Sequence, residues 1–204
     1  MVDICDQPLE VEIETGGVRW RRAGAGGLVA HRDGAVDRDA LVSALLGGPR
    51  PCTDVAEIRA DDSLRYQALV TVMDAVIAAG FPDVGLTDEA PELALPAPPA
   101  SSSAGGRPPT DRETLAKTPI IVIGAPGVRL QGRHIAGADA IDAIATYKAL
   151  YNALLQQRAT ESPPGQAVVL QADQQVSIVA IRRASRTAIA AGYPHVLFAV
   201  KTTK

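Results

Sequence analysis

Leu9, Val11 and Ile13 alternate with Glu10, Glu12 and Glu14, the period-two signature of a strand with one buried and one charged face. Gly16-Gly17 marks a turn. Val18–Arg22 and Leu28–His31 read as further strands, with the glycine-rich 24–27 between them as a hairpin turn. Asp37 is placed to cap a short helix over 38–46 that Gly47-Gly48-Pro49 stops. Val55–Arg59 reads as a strand. A helix over about 64–79 follows, with Leu69, Val72, Met73, Val76 and Ile77 as its inward stripe. Gly80 and Pro82 are its stop signals, and Val84–Thr87 is a closing strand.

The plan then recurs. Residues 55–87 and 167–199 align without a gap at a shift of 112, Ala60-Asp61 meeting Ala172-Asp173 and Ala78-Ala79-Gly80-Phe81 meeting Ala190-Ala191-Gly192-Tyr193. Ile120–Ile123 reads as an apolar strand, and Gly127–Leu130 echoes Gly17–Trp20. A helix is expected over about 139–157, with Ile144, Tyr147, Tyr151, Leu154 and Leu155 on one face. Val168–Gln171 is a strand, and 176–190 a helix with Ile181, Ala184, Ala188 and Ile189 inward. Val196–Val200 is continuously apolar, a pattern that implies burial on both faces or pairing with another chain. Residues 91–118, rich in Pro, Ala, Ser and Gly, read as a linker. The expectation is therefore an α+β chain of two tandem two-layer sandwiches, 1–90 and 119–204, each a small mixed sheet with two helices on one face.

Composition fits packed cores built from small aliphatics: 47% of residues are hydrophobic, 21% charged and only 3% aromatic. Charge separates the copies. Residues 1–92 hold 17 acidic and 8 basic groups, and residues 119–204 hold 4 and 9. The copies either attract each other, meet different partners, or have drifted on solvated faces. No apolar run is long enough to span a bilayer, and MVDICDQPLE lacks the basic and apolar regions of a signal peptide.

Candidate chemistry is sparse. His31, His134 and His195 share no ligand spacing with Cys, Asp or Glu, and no metal or cofactor motif is present. Asp61-Asp62, between a strand and a helix, offers a base or a cation ligand, and an enzyme reading would use Asp61 or His31. The equivalent position of Asp173 instead favours a helix-cap role for Asp61 and Asp173. Arg182, Arg183 and Arg186 form a basic ridge for an acidic partner, an anionic glycan, the acidic first unit, or solvent. Val70 and Thr71 occupy the matching outer positions of the first unit, a candidate interface. Scarce aromatics argue against single-stranded nucleic acid as a ligand. Cys5 and Cys52 are either a disulfide pair or two unrelated thiols.

Glu57-Ile58-Arg59-Ala60-Asp61, Tyr66, Val70–Asp74, Ala78–Phe81 and Val84-Gly85-Leu86 together resemble the periplasmic domain of the ExbD/TolR biopolymer-transport family over most of residues 8–88. The second unit joins the resemblance through its repeat with the first. The resemblance implies a non-enzymatic, periplasmic or inner-membrane-associated α+β domain, commonly dimeric, in a proton-driven complex. Its implied partners are an ExbB/TolQ-like channel subunit and a TonB/TolA-like transducer, with cell-wall glycan as another ligand. It also tilts Cys5 and Cys52 towards a disulfide. The family's transmembrane helix with its proton-carrying Asp has no counterpart here, so a membrane-anchored subunit requires a helix upstream of Met1. The second unit is a further departure, and it makes the fused pair a candidate intramolecular pseudo-dimer alongside a homodimer.

Overall fold

The computed structural model describes residues 7–48, 53–87, 118–161 and 165–200. Cys5 and Cys52 lie outside them, as does nearly all of the linker. The chain divides into two compact units, Met1–Glu89 and Ala90–Lys204. Each is an α+β sandwich of one five-stranded mixed sheet and two helices.

Unit 1 runs β1 (Leu9–Glu14), β2 (Gly17–Arg22), β3 (Ala25–Ala30), α1 (Arg38–Leu46), β4 (Val55–Ala60), α2 (Tyr66–Ala78) and β5 (Asp83–Leu86). Its sheet order is β3-β2-β1-β4-β5. The first three strands form an antiparallel meander, while β4 pairs parallel to β1 and β5 parallel to β4. Both parallel connections carry a helix, and the helices pack together on one face. Leu9, Val11, Ile13, Val18, Trp20, Ala56 and Ile58 point into that layer and are buried. Asp37 caps α1 as expected, its Oδ1 accepting from the Ala40 amide at 3.0 Å. The β2–β3 turn is tighter than the sequence suggests. Ala23 and Gly24 turn the chain at φ of 47° and 80°, and Gly26 and Gly27 already belong to β3. Gly27 lies beneath the Trp20 indole, where an added Cβ would stand 3.0 Å from Nε1.

Unit 2 runs β6 (Ile120–Gly124), β7 (Gly127–Leu130), β8 (Arg133–Ala136), a 3-10 turn (Ala138–Ala140), α3 (Ile144–Thr160), β9 (Ala167–Ala172), α4 (Ile178–Ala190) and β10 (His195–Val200). The order β10-β9-β6-β7-β8 reproduces that of unit 1, with the same parallel and antiparallel pairs. Strand β8 is too short and too polar to register as a strand from Arg133-His134-Ile135-Ala136. The 3-10 turn takes up the start of the helix expected from 139.

Helix faces rotate relative to the expected stripes. In α2 the buried residues are Tyr66, Leu69, Val72, Ala75 and Val76, leaving Ile77 50% exposed. In α3 they are Thr146, Tyr147, Leu150, Ala153 and Leu154, leaving Ile144 and Leu155 exposed. In α4 Ile189, expected inward, is 46% exposed. Each α2 and α4 terminus is a Schellman motif. Gly80 and Gly192 adopt φ of 99° and 95°. The following aromatic donates its amide back to the helix, Phe81 to Val76 O at 3.2 Å and Tyr193 to Ala188 O at 3.1 Å. The repeated Ala-Ala-Gly-aromatic string thereby ends the helix and drops an aromatic ring into the core, where Phe81 and Tyr193 are fully buried.

Candidate functional site

Neither aspartate caps a helix. The N-cap of α2 is Arg65, and Asp61 lies four residues upstream, its Oδ1 accepting from the Ser63 amide at 2.8 Å within a turn. The N-cap of α4 is Ser177, which accepts from the Ala180 amide at 3.3 Å. Asp173 reaches across to the β6–β7 hairpin and accepts from the Ala125 amide at 2.9 Å. Both carboxylates thus fix turns at the strand ends, because each helix starts two residues later than expected, at Tyr66 and Ile178. His31 follows β3, where its amide donates to Gly16 O at 3.1 Å.

The arginines of α4 do not make an open ridge. Arg182 is 8% exposed, and Arg183 and Arg186 are half-buried. Arg183 Nη1 donates to Asp142 O, and the Asp142 carboxylate accepts from Ser177 Oγ at 2.9 Å. Val70 and Thr71 are likewise half-buried, and the Thr71 hydroxyl donates to Gln67 O at 2.8 Å. The exposed large apolar residue of α2 is Ile77.

The informative surfaces are the sheet faces opposite the helices. In unit 1 that face is a charge lattice. Glu10 stands between Arg21 and Glu57, and Glu12 between Arg19 and Arg59. Arg19 Nε lies 3.0 Å from Glu14 Oε1, and Arg21 approaches Glu10 and Glu12 at 3.9 and 4.0 Å. Such exposed pairs add little stability but keep the face wet. In unit 2 the positions equivalent to Glu10, Glu12 and Glu57 are apolar. Ile120, Val169 and Leu197 stand in one row across three strands, with Val122 in the next row beside Gln171 and Ala199. Arg129 and His134, paired across β7 and β8, supply its polar border. No strand of this sheet carries an acidic residue. Ile120 is 38% exposed, and Val122, Val169 and Leu197 are half-buried. Strand β10 lies at the edge of the sheet, so the continuous apolar run seen in the sequence is not sandwiched between strands.

The second distinctive feature is a guanidinium over the Schellman aromatic of each unit. Arg22 lies 5.0 Å from the Phe81 ring centroid, and Arg158 lies 5.4 Å from that of Tyr193. Arg158 comes from the last turns of α3. Its Nη1 donates to Gly165 O at 3.0 Å and to Gly192 O. Beside it Glu161 accepts from the Tyr193 hydroxyl at 3.1 Å and from the Gly165 amide at 2.8 Å. Burial, and then the Glu161 charge, push the Tyr193 phenol well above its usual range. Arg22 comes from β2, where it follows Val18 and Trp20 at the inward positions. The pattern Val-x-Trp-x-Arg could have revealed it, since alternation calls for an apolar residue there.

No group of three or more His, Cys, Asp or Glu side chains that could hold a metal occurs among the described residues. No described helix is long and apolar enough to cross a membrane. No protein-family model matches the chain, and no curated protein matches it.

Proposed function

We propose that this chain is a non-enzymatic protein-interaction module of the cell envelope, akin to the periplasmic part of an ExbD/TolR-type transport subunit. In this reading it works at the inner membrane or in the periplasm, and its second unit docks a TonB/TolA-like transducer. The observation that carries the reading is the open face of the unit 2 sheet. Positions that hold Glu10, Glu12 and Glu57 in one copy hold Ile120, Val122 and Val169 in the other. A sheet face that needs only water has no use for that exchange, whereas a docking face removes apolar area from water. Arg129 and His134 at its border, with no acidic side chain on the strands, suit a partner segment that combines apolar residues with acidic ones.

The test is binding of the full chain to the immobilised soluble domain of a TolA-type transducer, with an ExbB/TolQ-type subunit in detergent and peptidoglycan sacculi run in parallel. Transducer binding that is lost in a Val169→Glu/Leu197→Glu double variant, and kept in Glu12→Val, is expected. Circular dichroism confirms that each variant is folded. Failure of the wild-type chain to bind the transducer, binding only to the channel subunit or to glycan, or an unaffected double variant overturns the proposal.

A further inference from the structure

The two arginine–aromatic stacks share an aromatic at the same place in the repeat, Phe81 and Tyr193, but draw their arginines from different elements, β2 in unit 1 and α3 in unit 2, and they differ in how the cation is satisfied. In unit 2 the cation is satisfied: two backbone carbonyls accept from Arg158, and the Glu161 carboxylate lies alongside on the same tyrosine. In unit 1 the aromatic is Phe81, which has no hydroxyl to hold a carboxylate. Arg22 is 7% exposed, its Nη2 is fully buried, and that atom has no hydrogen-bond partner among the described residues. No ion pair forms at Arg22 among the described residues, and the neighbouring Arg21 is engaged by Glu10 and Glu12. Burial without a counter-charge holds the Arg22 guanidinium below its ordinary range.

A buried donor with no acceptor is costly, and a native fold that keeps one calls for an explanation. Replacement by an apolar residue would remove the penalty while keeping the packing on Phe81. Arginine at this position is explained if an acceptor arrives from outside. An open cleft of about 510 Å³ lies at this end of the sheet, lined by Gln7, Pro8, Glu10, Arg21, Arg22 and the turn that follows. We propose that Arg22 is the anchor of a carboxylate-binding site, the planar guanidinium receiving a ligand carboxylate. Planarity favours a carboxylate, whose two oxygens match two parallel N–H donors, over a halide. Glu10 on the same cleft, held by Arg21 at 3.9 Å, disfavours multiply charged anions such as phosphate.

The full chain, 15N-labelled, is titrated at constant ionic strength with sodium acetate, with a short peptide bearing a single glutamate, and with inorganic phosphate. Sodium chloride is the reference. The arginine side-chain Nε–Hε resonances and the melting temperature are followed. Saturable shifts of the Arg22 resonance with acetate and with the peptide, absent with chloride, are expected. Acetate alone would identify a small free acid as the ligand, and markedly tighter peptide binding would identify an acidic side chain. Arg22→Met abolishes the response while the melting temperature in chloride stays the same or rises. Arg22→Lys keeps the charge but loses the paired geometry, and weakens acetate binding about tenfold, the equivalent of one charge-assisted hydrogen bond. Arg129→Met leaves the response intact. A response equal in wild type and Arg22→Met, no saturation, or a larger response to phosphate than to acetate overturns the proposal. If Arg22→Met does not fold, Arg22→Lys and the direct resonance shift carry the test.

Discussion

Gly80 and Gly192 hold the same backbone conformation in the same motif, so substituting alanine at both separates two costs. At Gly80 an added Cβ has no atom within 4 Å, and the penalty is conformational alone. Placing an L-residue in the left-handed region costs about 1–2 kcal/mol. Alanine also stiffens the unfolded chain, which offsets roughly 0.4–1 kcal/mol. The net expected loss is about 1 kcal/mol. At Gly192 the same Cβ lands 3.0 Å from Arg158 Cζ. The guanidinium can swing away, but it then leaves Gly165 O and Gly192 O. One charge-assisted hydrogen bond is worth ~1.5–3 kcal/mol, so Gly192→Ala is expected to cost at least that much more than Gly80→Ala. Urea unfolding of the full chain measures the first through the single tryptophan, Trp20, which is buried in unit 1. A loss of 1 kcal/mol moves its midpoint by about half a molar unit. Hydrogen exchange of the α4 terminus measures the second. In an Arg158→Ala background the excess at Gly192 should vanish. Equal costs at the two glycines in the wild-type background would refute the claim that the Arg158 guanidinium constrains the second motif.

Asp61→Ala should cost about 1 kcal/mol and leave exchange protection in the first turn of α2 unchanged, whereas a true cap would lose it. Asp173→Ala should loosen the β6–β7 hairpin by a similar amount, with faster exchange at the Ala125 amide. Burial pushes the Tyr66 phenol up to about 12 from its ordinary 10. The folded value lies above the unfolded one, so this contribution is intact below pH 10 and is lost between about pH 10 and 12. Its ceiling is about 2–3 kcal/mol. Urea midpoints read by Trp20 should fall across that window, and Tyr66→Phe should flatten the fall.

The fold was legible where chemistry is local. Alternation of Leu9, Val11 and Ile13 with glutamates marks a half-open strand, and Ala-Ala-Gly-aromatic marks a helix stop, because each motif satisfies its own backbone groups. The helix starts were misread because Asp61 and Asp173 are good caps in isolation, and only the strand–helix geometry assigns them to turns. Ile77 and Ile189 were placed inward by hydropathy, but the sheet and the companion helix set the buried face. Arg182, Arg183 and Arg186 looked like a solvated ridge for the same reason: side-chain type suggests exposure, while packing determines it. The apolar open face of unit 2 was half visible in the runs 120–123 and 196–200. Its meaning emerged only when register set Ile120 beside Val169 and Leu197.

Each sheet places its first strand at the centre, and this bears on how the chain is made. During synthesis the three-strand meander of a unit emerges first, and it closes by local hairpins alone. The other edge of β1 must then wait for β4, with Val11 meeting Ile58 only after α1 has been made. The edge of β6 waits in the same way for β9 while seventeen residues of α3 are added. Until then a central strand is an exposed edge. In unit 1 that edge carries glutamates, which repel its own kind. In unit 2 it carries Ile120 and Val122. The substitutions that make the second unit a better surface for a partner therefore also make its nascent chain the stickier of the two, and aggregation during expression should begin there.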